Sequence, residues 1–402
     1  MIGLAYCDRA GRVYYDETRT PLADGGIVRE VNPDELIPAP PGTVQMILPG
    51  RRARTTWGTM RGRYALAVML PAGYTRLLVP AYEREEDAPV LPLFGYTFAC
   101  VVDDELCVAA MKTDEGEDWQ PRKFAAGELE GILEARMHLD PGNQVLAQVA
   151  LCSREYGCFT AQNVFLERGE AALPVSPKCN ARCVGCISEQ EPDAGLPSPQ
   201  TRITYETQAD ELARIAIHHL ERVEDGIVSF GQGCEGEPLL RSIAIAGAIE
   251  RIRAVHSNGT INLNTNGSMP SALERCIDAG LGAVRISLNS FRPHAYAAYY
   301  RPIGYDLDDV FASIRLAVRR GLRVSLNLLT HPGVTDDEDE VAAMQSFLDE
   351  TPVAMIQTRT LNIDPEWYFD TVGRPRNAIG MRRVIDTIRQ THVAVGNFTH
   401  TH

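Results

Sequence analysis

From residue 171 onward, short apolar runs alternate with longer stretches in which apolar residues recur at helical spacing. The runs predict the strands LPVS, GIVSF, INLNT, AVRISLN, RVSLNLL and AMIQTRT. The stretches predict helices over residues 204–220, 238–256, 270–279, 307–320, 336–349 and 377–390. Gly280 and Gly321 follow two of these helices and Pro270 begins another, as is typical of helix ends and starts. Strands that alternate with helices predict a parallel sheet with right-handed crossovers, here a partial (β/α)6 barrel.

The first 170 residues have a different pattern, with short β-type runs separated by glycine, proline and aspartate. Asp103 and Asp104 lie between two apolar runs and predict a hairpin with Cys100 and Cys107 on facing strands, as small buried residues. One amphipathic helix is predicted over residues 124–139. We therefore divide the chain into a β-rich N-terminal domain of unassigned role, 1–170, and an α/β domain, 171–402.

Composition and charge exclude several classes of protein. The chain has 402 residues, of which 45% are hydrophobic and 23% charged, as in ordinary soluble proteins. No apolar run is long enough to span a bilayer and the N-terminus lacks a signal-peptide pattern, so we expect a cytoplasmic protein without membrane association. The net charge of −14 disfavours binding to nucleic acid.

A local basic cluster departs from this acidic average. It surrounds Trp57 and consists of Arg51, Arg52, Arg54, Arg61 and Arg63. A solvated surface is the favoured interpretation. The alternative is that Arg51, Arg52 and Arg54 face the barrel and bind an anionic substrate.

The chain has ten cysteines and no export signal, so metal binding or catalysis is a better explanation than a disulfide framework. Cys179, Cys183 and Cys186 follow the first predicted strand with the spacing C-x3-C-x2-C, which lets three thiolates converge on one iron–sulfur cluster. Clusters usually take four cysteines, so three leave one iron open to an outside ligand. A structural zinc site is the rival, but no nearby histidine or cysteine completes a set of four ligands.

A C-x3-C-x2-C loop after the first strand of such a β/α series resembles the radical S-adenosylmethionine (SAM) superfamily. The resemblance implies that Cys179, Cys183 and Cys186 hold a 4Fe-4S cluster and that its fourth iron binds the methionine part of SAM. It also implies reductive cleavage of SAM to a 5′-deoxyadenosyl radical, with a reductant such as flavodoxin or ferredoxin. No cysteine follows Cys276, so we expect no cysteine-rich C-terminal extension with an auxiliary cluster.

Companion segments match the superfamily in order. Gly-Glu-Pro-Leu, which begins at Gly236, resembles the Gly-Gly-Glu-Pro motif that binds the SAM amino group, because a carboxylate complements an ammonium. Short polar side chains at strand ends suit the ribose diol. The candidate cofactor-binding residues are Gly236 and Glu237 after the second strand, Thr265 after the third, Ser287 and Asn289 after the fourth, then Arg301, and Gln357 on the sixth.

The chain departs from the superfamily at two positions. Gly185 stands where members usually have an aromatic residue that touches adenine, which leaves that contact to backbone atoms or to Val184 and Ile187. Glu235 replaces the first glycine of Gly-Gly-Glu-Pro, and its carboxylate is expected either to assist SAM binding or to point at the substrate.

Three further cysteines, Cys152, Cys158 and Cys234, lie close to the cluster segments in sequence. They are either a second cluster site, with Cys234 alternatively a substrate-facing thiol, or ordinary reduced thiols, and we favour the last. His331 is the histidine best placed to reach the pocket, although a packed histidine is the commoner case.

These observations predict a radical SAM enzyme whose substrate is a peptide or protein side chain, or a small metabolite. The rival from another class is a non-catalytic iron–sulfur electron carrier or sensor, which would not need Glu237 or the polar strand ends.

Overall fold

The computed structural model describes residues 1–114, 127–191, 195–391 and 393–397. Twelve strands form its N-terminal part: β1 Ile2–Cys7, β2 Val13–Asp16, β3 Leu22–Asp24, β4 Val28–Glu30, β5 Leu36–Pro38, β6 Val44–Thr55, β7 Gly58–Met69, β8 Tyr74–Arg76, β9 Val79–Pro80, β10 Tyr82–Arg84, β11 Thr97–Val102 and β12 Glu105–Lys112. Nine of them form one antiparallel sheet with the order β10-β6-β7-β1-β11-β12-β5, where β2 pairs with β1 and β8 pairs with β12. Strands β4, β3 and β9 form a second sheet.

The predicted hairpin is confirmed. Strands β11 and β12 pair antiparallel with Cys100 opposite Cys107, and both cysteines are buried. Asp103 and Asp104 both adopt positive φ, 49° and 63°, as a two-residue turn that matches the strand twist requires.

Three helices follow: α1 Glu128–His138, α2 Gln144–Glu155 and α3 Phe159–Leu166. Helix α1 corresponds to the predicted helix 124–139, whose first three residues lie outside the described residues. Buried residues of these helices, such as Leu133, Val149 and Phe165, belong to the same apolar core as the later strands. These helices therefore pack with the α/β part of the chain, and the division at residue 170 stays a prediction.

The remaining chain forms one all-parallel sheet whose seven strands lie in chain order. Its strands are β13 Glu170–Leu173, β14 Ile227–Phe230, β15 Thr260–Thr265, β16 Ala283–Leu288, β17 Arg323–Thr330, β18 Met355–Thr360 and β19 Ala394–Gly396. Its helices are α4 Ala209–Leu220, α5 Ser242–Val255, α6 Pro270–Asp278, α7 Pro293–Tyr300, α8 Leu307–Arg319, α9 Glu338–Glu350, α10 Pro365–Val372 and α11 Met381–Gln390.

The α/β class and the parallel strands are thus as predicted, while closure into a barrel stays a prediction. In the α/β part, the sequence pattern missed α7, α10 and β19, because these elements are short and lack a strong apolar period. Before it, helices α2 and α3 were not predicted either. The strand predicted at LPVS lies slightly earlier, as β13.

The N-terminal sheets pack closely against the late strands of the parallel sheet. The guanidinium of Arg76 is fully buried and donates to backbone oxygens of Tyr96, Thr330 and Leu361. A Cβ added at Gly333 would lie 2.5 Å from backbone atoms of Gly26, so the two chain segments meet without room for a side chain. The two parts of the chain therefore share a tight, polar junction.

None of the helices in the described ranges is both long and apolar enough to cross a membrane.

Candidate functional site

The three cysteines lie on the loop that follows β13, at the carboxyl end of the parallel sheet. Cys179, Cys183 and Cys186 line one cavity of about 1030 Å³. That volume is large enough for a cofactor and a small substrate together. In parallel α/β sheets, ligand sites form at this edge because the loops after successive strands meet there.

The electrostatics of these thiols favour a bound cation. Burial, then the charge of Glu237, raises the pKa of Cys179 to about 11. Burial, then the neighbouring Cys186 and Cys179, raises the pKa of Cys183 well above its usual range. Because the thiolates that line one cavity repel one another, the deprotonated set needs positive charge, which iron would supply with release of protons.

The three thiols do not form a site for a single metal ion. No group of three histidine, cysteine, aspartate or glutamate side chains in the described ranges is placed to hold a single metal ion. A cluster binds each cysteine through a different iron, so it accepts thiols that face one cavity from separate positions. The Arg202 guanidinium also donates to the Cys186 sulfur over 3.6 Å, as second-layer donors to a cluster do. The donor set therefore fits a 4Fe-4S cluster.

The glycine-rich segment after β14 lies directly on the cysteine loop. The Gly236 N–H donates to the Ser176 oxygen over 2.7 Å, and the Glu237 N–H donates to the Lys178 oxygen over 2.8 Å. A Cβ at Gly236 would lie 2.0 Å from the Lys178 oxygen, so only glycine permits this approach. The two predicted motifs are therefore joined by their backbones, and Gly236 lines the cavity.

The Glu237 carboxylate lines the same cavity and is buried. It accepts from the Thr265 hydroxyl over 2.5 Å, the Asn266 N–H over 2.8 Å and the Leu239 N–H over 2.9 Å. Burial raises its pKa to about 7, against the lowering effect of these donors. The structure thus brings Glu237 and Thr265 together, and an ammonium ligand in the cavity would favour the ionised carboxylate.

Glu235 has a different role from either predicted one. Its buried carboxylate accepts from the backbone N–H groups of Val175 over 2.7 Å, Ser176 over 2.6 Å and Gln232 over 2.7 Å. Burial raises its pKa to about 8, although the three donors favour the ionised form. Glu235 therefore ties the loop after β14 to the start of the cysteine loop, and it does not line the cavity.

The other predicted cofactor residues divide into two sets. Ser287 lines the cavity at the end of β16. Asn289, Arg301 and Gln357 do not line it. Asn289 donates to the Ala295 oxygen and to the Tyr368 hydroxyl, Arg301 is exposed at the C-terminus of α7, and Gln357 is fully buried on β18. Direct contacts of these three with SAM stay predictions without geometric support.

Charged residues outside the set of predicted cofactor-binding residues line the inner part of the cavity. Arg168, Arg285 and Arg359 lie there together with Glu170, whose carboxylate is 3.0 Å from the Arg285 guanidinium. The sequence itself contains an indication of Arg285, because a charged residue interrupts the buried run AVRISL.

Asn327 is a further missed residue, opposite Ser287 on the neighbouring strand. Its amide nitrogen donates to the Ser287 hydroxyl, while its carbonyl oxygen is buried without a hydrogen-bond partner in the described ranges. Because a buried acceptor without a donor is costly, this oxygen is suited to a ligand hydroxyl.

The hypothesis that Arg51, Arg52 and Arg54 form an anionic-substrate site in the barrel is wrong. Arg51 is fully buried in an ion pair with Asp364, outside the cavity, and Arg52 pairs with Glu83 at the surface. Arg54 is exposed on the same strand, β6. The side-chain alternation of β6 sends these arginines to different environments.

The remaining cysteines also fall into different places. Cys152 and Cys234 are both buried in the same apolar core. Cys158, and not Cys234, lines the cavity. His331 is fully buried against Tyr368 and does not reach the cavity.

Residues 173–344 match the family model described as the radical SAM superfamily. The chain is 30% identical over 202 residues to the GTP 3′,8-cyclase of Alkaliphilus metalliredigens, which covers 49% of this chain and 58% of that protein. It is 33% identical over 170 residues to the GTP 3′,8-cyclase of Heliobacterium modesticaldum, covering 41% of this chain and 47% of the relative. The chain thus spans about half the length of these curated relatives.

Solved structures give more distant likenesses. Streptococcus suis SuiB bound to S-adenosylmethionine has a TM-score of 0.40 at 15% identity, over 68% of this chain and 60% of that one. Methylornithine synthase has a TM-score of 0.40 at 13% identity, over 68% and 75%. These likenesses are too distant to carry an argument. The family match coincides with the cysteine loop and the parallel sheet, and it brings the 4Fe-4S cluster and S-adenosylmethionine as cofactors. Residues 173–344 of the chain therefore form a radical SAM superfamily domain.

Proposed function

We propose that this radical SAM enzyme acts on a small anionic molecule, with a purine nucleoside triphosphate such as GTP as the first candidate. The observation that carries this proposal is that Arg168, Arg285 and Arg359 line the same cavity as the three cysteines. The relatives named GTP 3′,8-cyclase support the choice of GTP.

Cys179, Cys183 and Cys186 would hold the cluster, and Gly236 with Glu237 would receive the methionine amino group. When bound, the reduced cluster supplies the electron that cleaves SAM and so starts radical chemistry on the substrate.

The inner part of the cavity is suited to phosphate. Arginine binds phosphate through paired N–H donors, and such bonds are strengthened by the low dielectric of a buried site. Glu170 neutralises one guanidinium through its contact with Arg285. Arg168 and Arg359 line the same space, so this part of the lining has three arginines and one glutamate, which favours an anion over a cationic group.

Nothing in the comparisons supports the peptide or protein side chain that the sequence also suggested. A peptide chain needs backbone partners along a groove, as in strand addition to a sheet edge. The inner cavity instead presents charged and amide side chains, which suit a compact polar ligand.

The first test measures 5′-deoxyadenosine formed from SAM by the reconstituted, dithionite-reduced protein. We expect formation that disappears in Cys183→Ala. A well-formed cluster that yields no 5′-deoxyadenosine, and whose spectrum does not change on adding SAM, would favour an electron carrier.

The second test compares GTP, GDP and guanosine as ligands of the cluster-loaded enzyme and as stimulants of SAM cleavage. We expect the affinity to fall with each phosphate removed. Arg168→Gln should weaken GTP binding by about 10- to 100-fold, because a hydrogen bond to a charged group contributes about 1.5–3 kcal/mol.

The double variant Glu170→Gln/Arg285→Gln should also weaken GTP binding, because it removes one arginine together with the carboxylate that contacts it. Arg54→Gln is the matched control, since Arg54 is exposed and outside the cavity. Equal affinity for GTP and guanosine, or unchanged GTP affinity in both cavity variants, would refute the anionic substrate.

A further inference from the structure

The end of helix α7 is fixed to the cysteine loop by backbone hydrogen bonds. The Val184 N–H donates to the Tyr299 oxygen over 2.9 Å, and the Arg182 N–H donates to the Tyr300 oxygen over 3.1 Å. The Ile303 N–H donates to the Asn180 oxygen over 2.9 Å and so extends the same contact. Two tyrosines more than a hundred residues away in sequence are therefore held beside Cys183.

The Tyr299 side chain occupies the space that a side chain at position 185 would need. A Cβ added at Gly185 would lie 2.9 Å from the Tyr299 hydroxyl oxygen and 3.5 Å from a ring carbon. Gly185 and Tyr299 both line the cavity. The absence of a side chain at Gly185 is thus matched by an aromatic ring that arrives from another element.

The Tyr299 ring is rigidly placed. It makes edge contacts with the rings of Tyr300 and Tyr368, at centroid distances of 5.1 and 5.8 Å. The ring is buried, and Tyr299 lines the cavity together with the three cluster cysteines. A buried ring held on two sides is pre-organised to pack against a flat ligand.

Tyr300 adds an independent observation. It is buried and lines the cavity, and its hydroxyl has no hydrogen-bond partner in the part of the chain that the structure describes. A buried hydroxyl without a partner is costly unless a ligand satisfies it. Its placement beside Tyr299 means that one ligand can meet both groups.

We propose that Tyr299 and Tyr300 form the binding surface for the adenosyl group of SAM. The Tyr299 ring, which fills the space beside Gly185, packs against the base. The Tyr300 hydroxyl exchanges a hydrogen bond with a nitrogen or hydroxyl of the nucleoside. This assignment concerns the cofactor only and is independent of whether GTP is the substrate.

The test measures binding to the cluster-loaded, unreduced enzyme by calorimetry, without turnover and without GTP. The probes are S-adenosylhomocysteine, which carries the adenosyl group, and methionine, which lacks it. Tyr299→Ala should weaken S-adenosylhomocysteine binding by about 10-fold or more, because base stacking on an aromatic side chain has an effect of that size. Methionine affinity should stay within about twofold. Tyr299→Phe should retain the wild-type affinity for both.

Two further variants separate a contact from a structural role. Gly185→Tyr/Tyr299→Ala moves the ring to the loop and should recover part of the affinity that Tyr299→Ala loses. Tyr300→Phe should weaken S-adenosylhomocysteine binding several-fold at unchanged iron content. Tyr305→Phe is the matched control, since Tyr305 lies behind Tyr296 and does not line the cavity.

Unchanged S-adenosylhomocysteine affinity in both Tyr299→Ala and Tyr300→Phe would overturn the proposal. An equal loss of methionine and S-adenosylhomocysteine binding would also overturn it, since that result indicates a displaced cluster loop. If Tyr299→Ala does not assemble a cluster, the Tyr300→Phe comparison decides.

Discussion

Replacing Arg51 by methionine should destabilise the protein strongly without affecting its cavity. The Arg51 guanidinium lies 2.6 Å from the Asp364 carboxylate, and the two side chains are 0% and 2% exposed. It also donates to the backbone oxygens of Pro49 and Pro89, over 2.9 and 2.8 Å. In Arg51→Met the Asp364 carboxylate keeps the two backbone donors at Leu91 and Glu366.

The expected loss follows from the buried charge that remains. Removing one partner of a buried ion pair lowers the free energy of unfolding by about 3–5 kcal/mol. In Arg51→Met/Asp364→Asn the residual charge is gone. The double variant should therefore lose less free energy of unfolding than the two single variants added together. The Asn side chain also keeps an oxygen for the start of α10, where Asp364 caps the helix.

Urea denaturation followed by circular dichroism measures these free energies. Arg54→Met is the matched control, because Arg54 lies on the same strand with its side chain exposed, and it should change stability by less than about 0.5 kcal/mol. SAM affinity should be unchanged in the folded Arg51→Met protein. A free energy of unfolding for Arg51→Met within about 1 kcal/mol of wild type would refute the assignment of a buried, charged pair.

Two more predictions concern Glu235 and His331. Glu235→Gln replaces one acceptor oxygen by an N–H donor that faces a backbone N–H, and should lower the free energy of unfolding by about 2–3 kcal/mol. The variant should also bind less iron and sulfide per chain. An iron and sulfide content equal to that of wild type would contradict a role of Glu235 in holding the cysteine loop. Burial, then the charge of Arg76, holds the pKa of His331 well below 6.5 in the folded chain. The unfolded chain binds a proton at this histidine more readily than the folded chain does. The stability that the buried neutral imidazole permits is therefore present above about pH 6.5 and is lost as the pH falls. In urea denaturation, the free energy of unfolding of wild type relative to His331→Asn should fall by about 1.4 kcal/mol between neutral pH and roughly pH 5.5. Parallel pH profiles of the two proteins would exclude a buried neutral imidazole.

The sequence by itself determined the local elements and the chemistry of the cysteine loop. Apolar periodicity reports which face of a segment is buried, so the strands from GIVSF to AMIQTRT were predicted almost at their observed bounds. The hairpin at Asp103 followed from turn chemistry, which is also local. The spacing of Cys179, Cys183 and Cys186 is short enough that chain connectivity alone brings the thiols to one site.

Only the tertiary structure decided which distant residues meet that loop. Nothing in the pattern around Tyr299 indicates that its ring lies over Gly185, since that contact depends on where α7 packs. Polar residues at strand ends look alike in sequence, yet Ser287 lines the cavity and Asn289, two residues later, points into the core.

Arg51 and Arg54 are neighbours in sequence, and one is buried beside Asp364 while the other faces solvent. The physical reason is common to these cases. Local sequence encodes burial and turn preference over a few residues, whereas partner identity across hundreds of residues is set by strand order and the packing of whole elements.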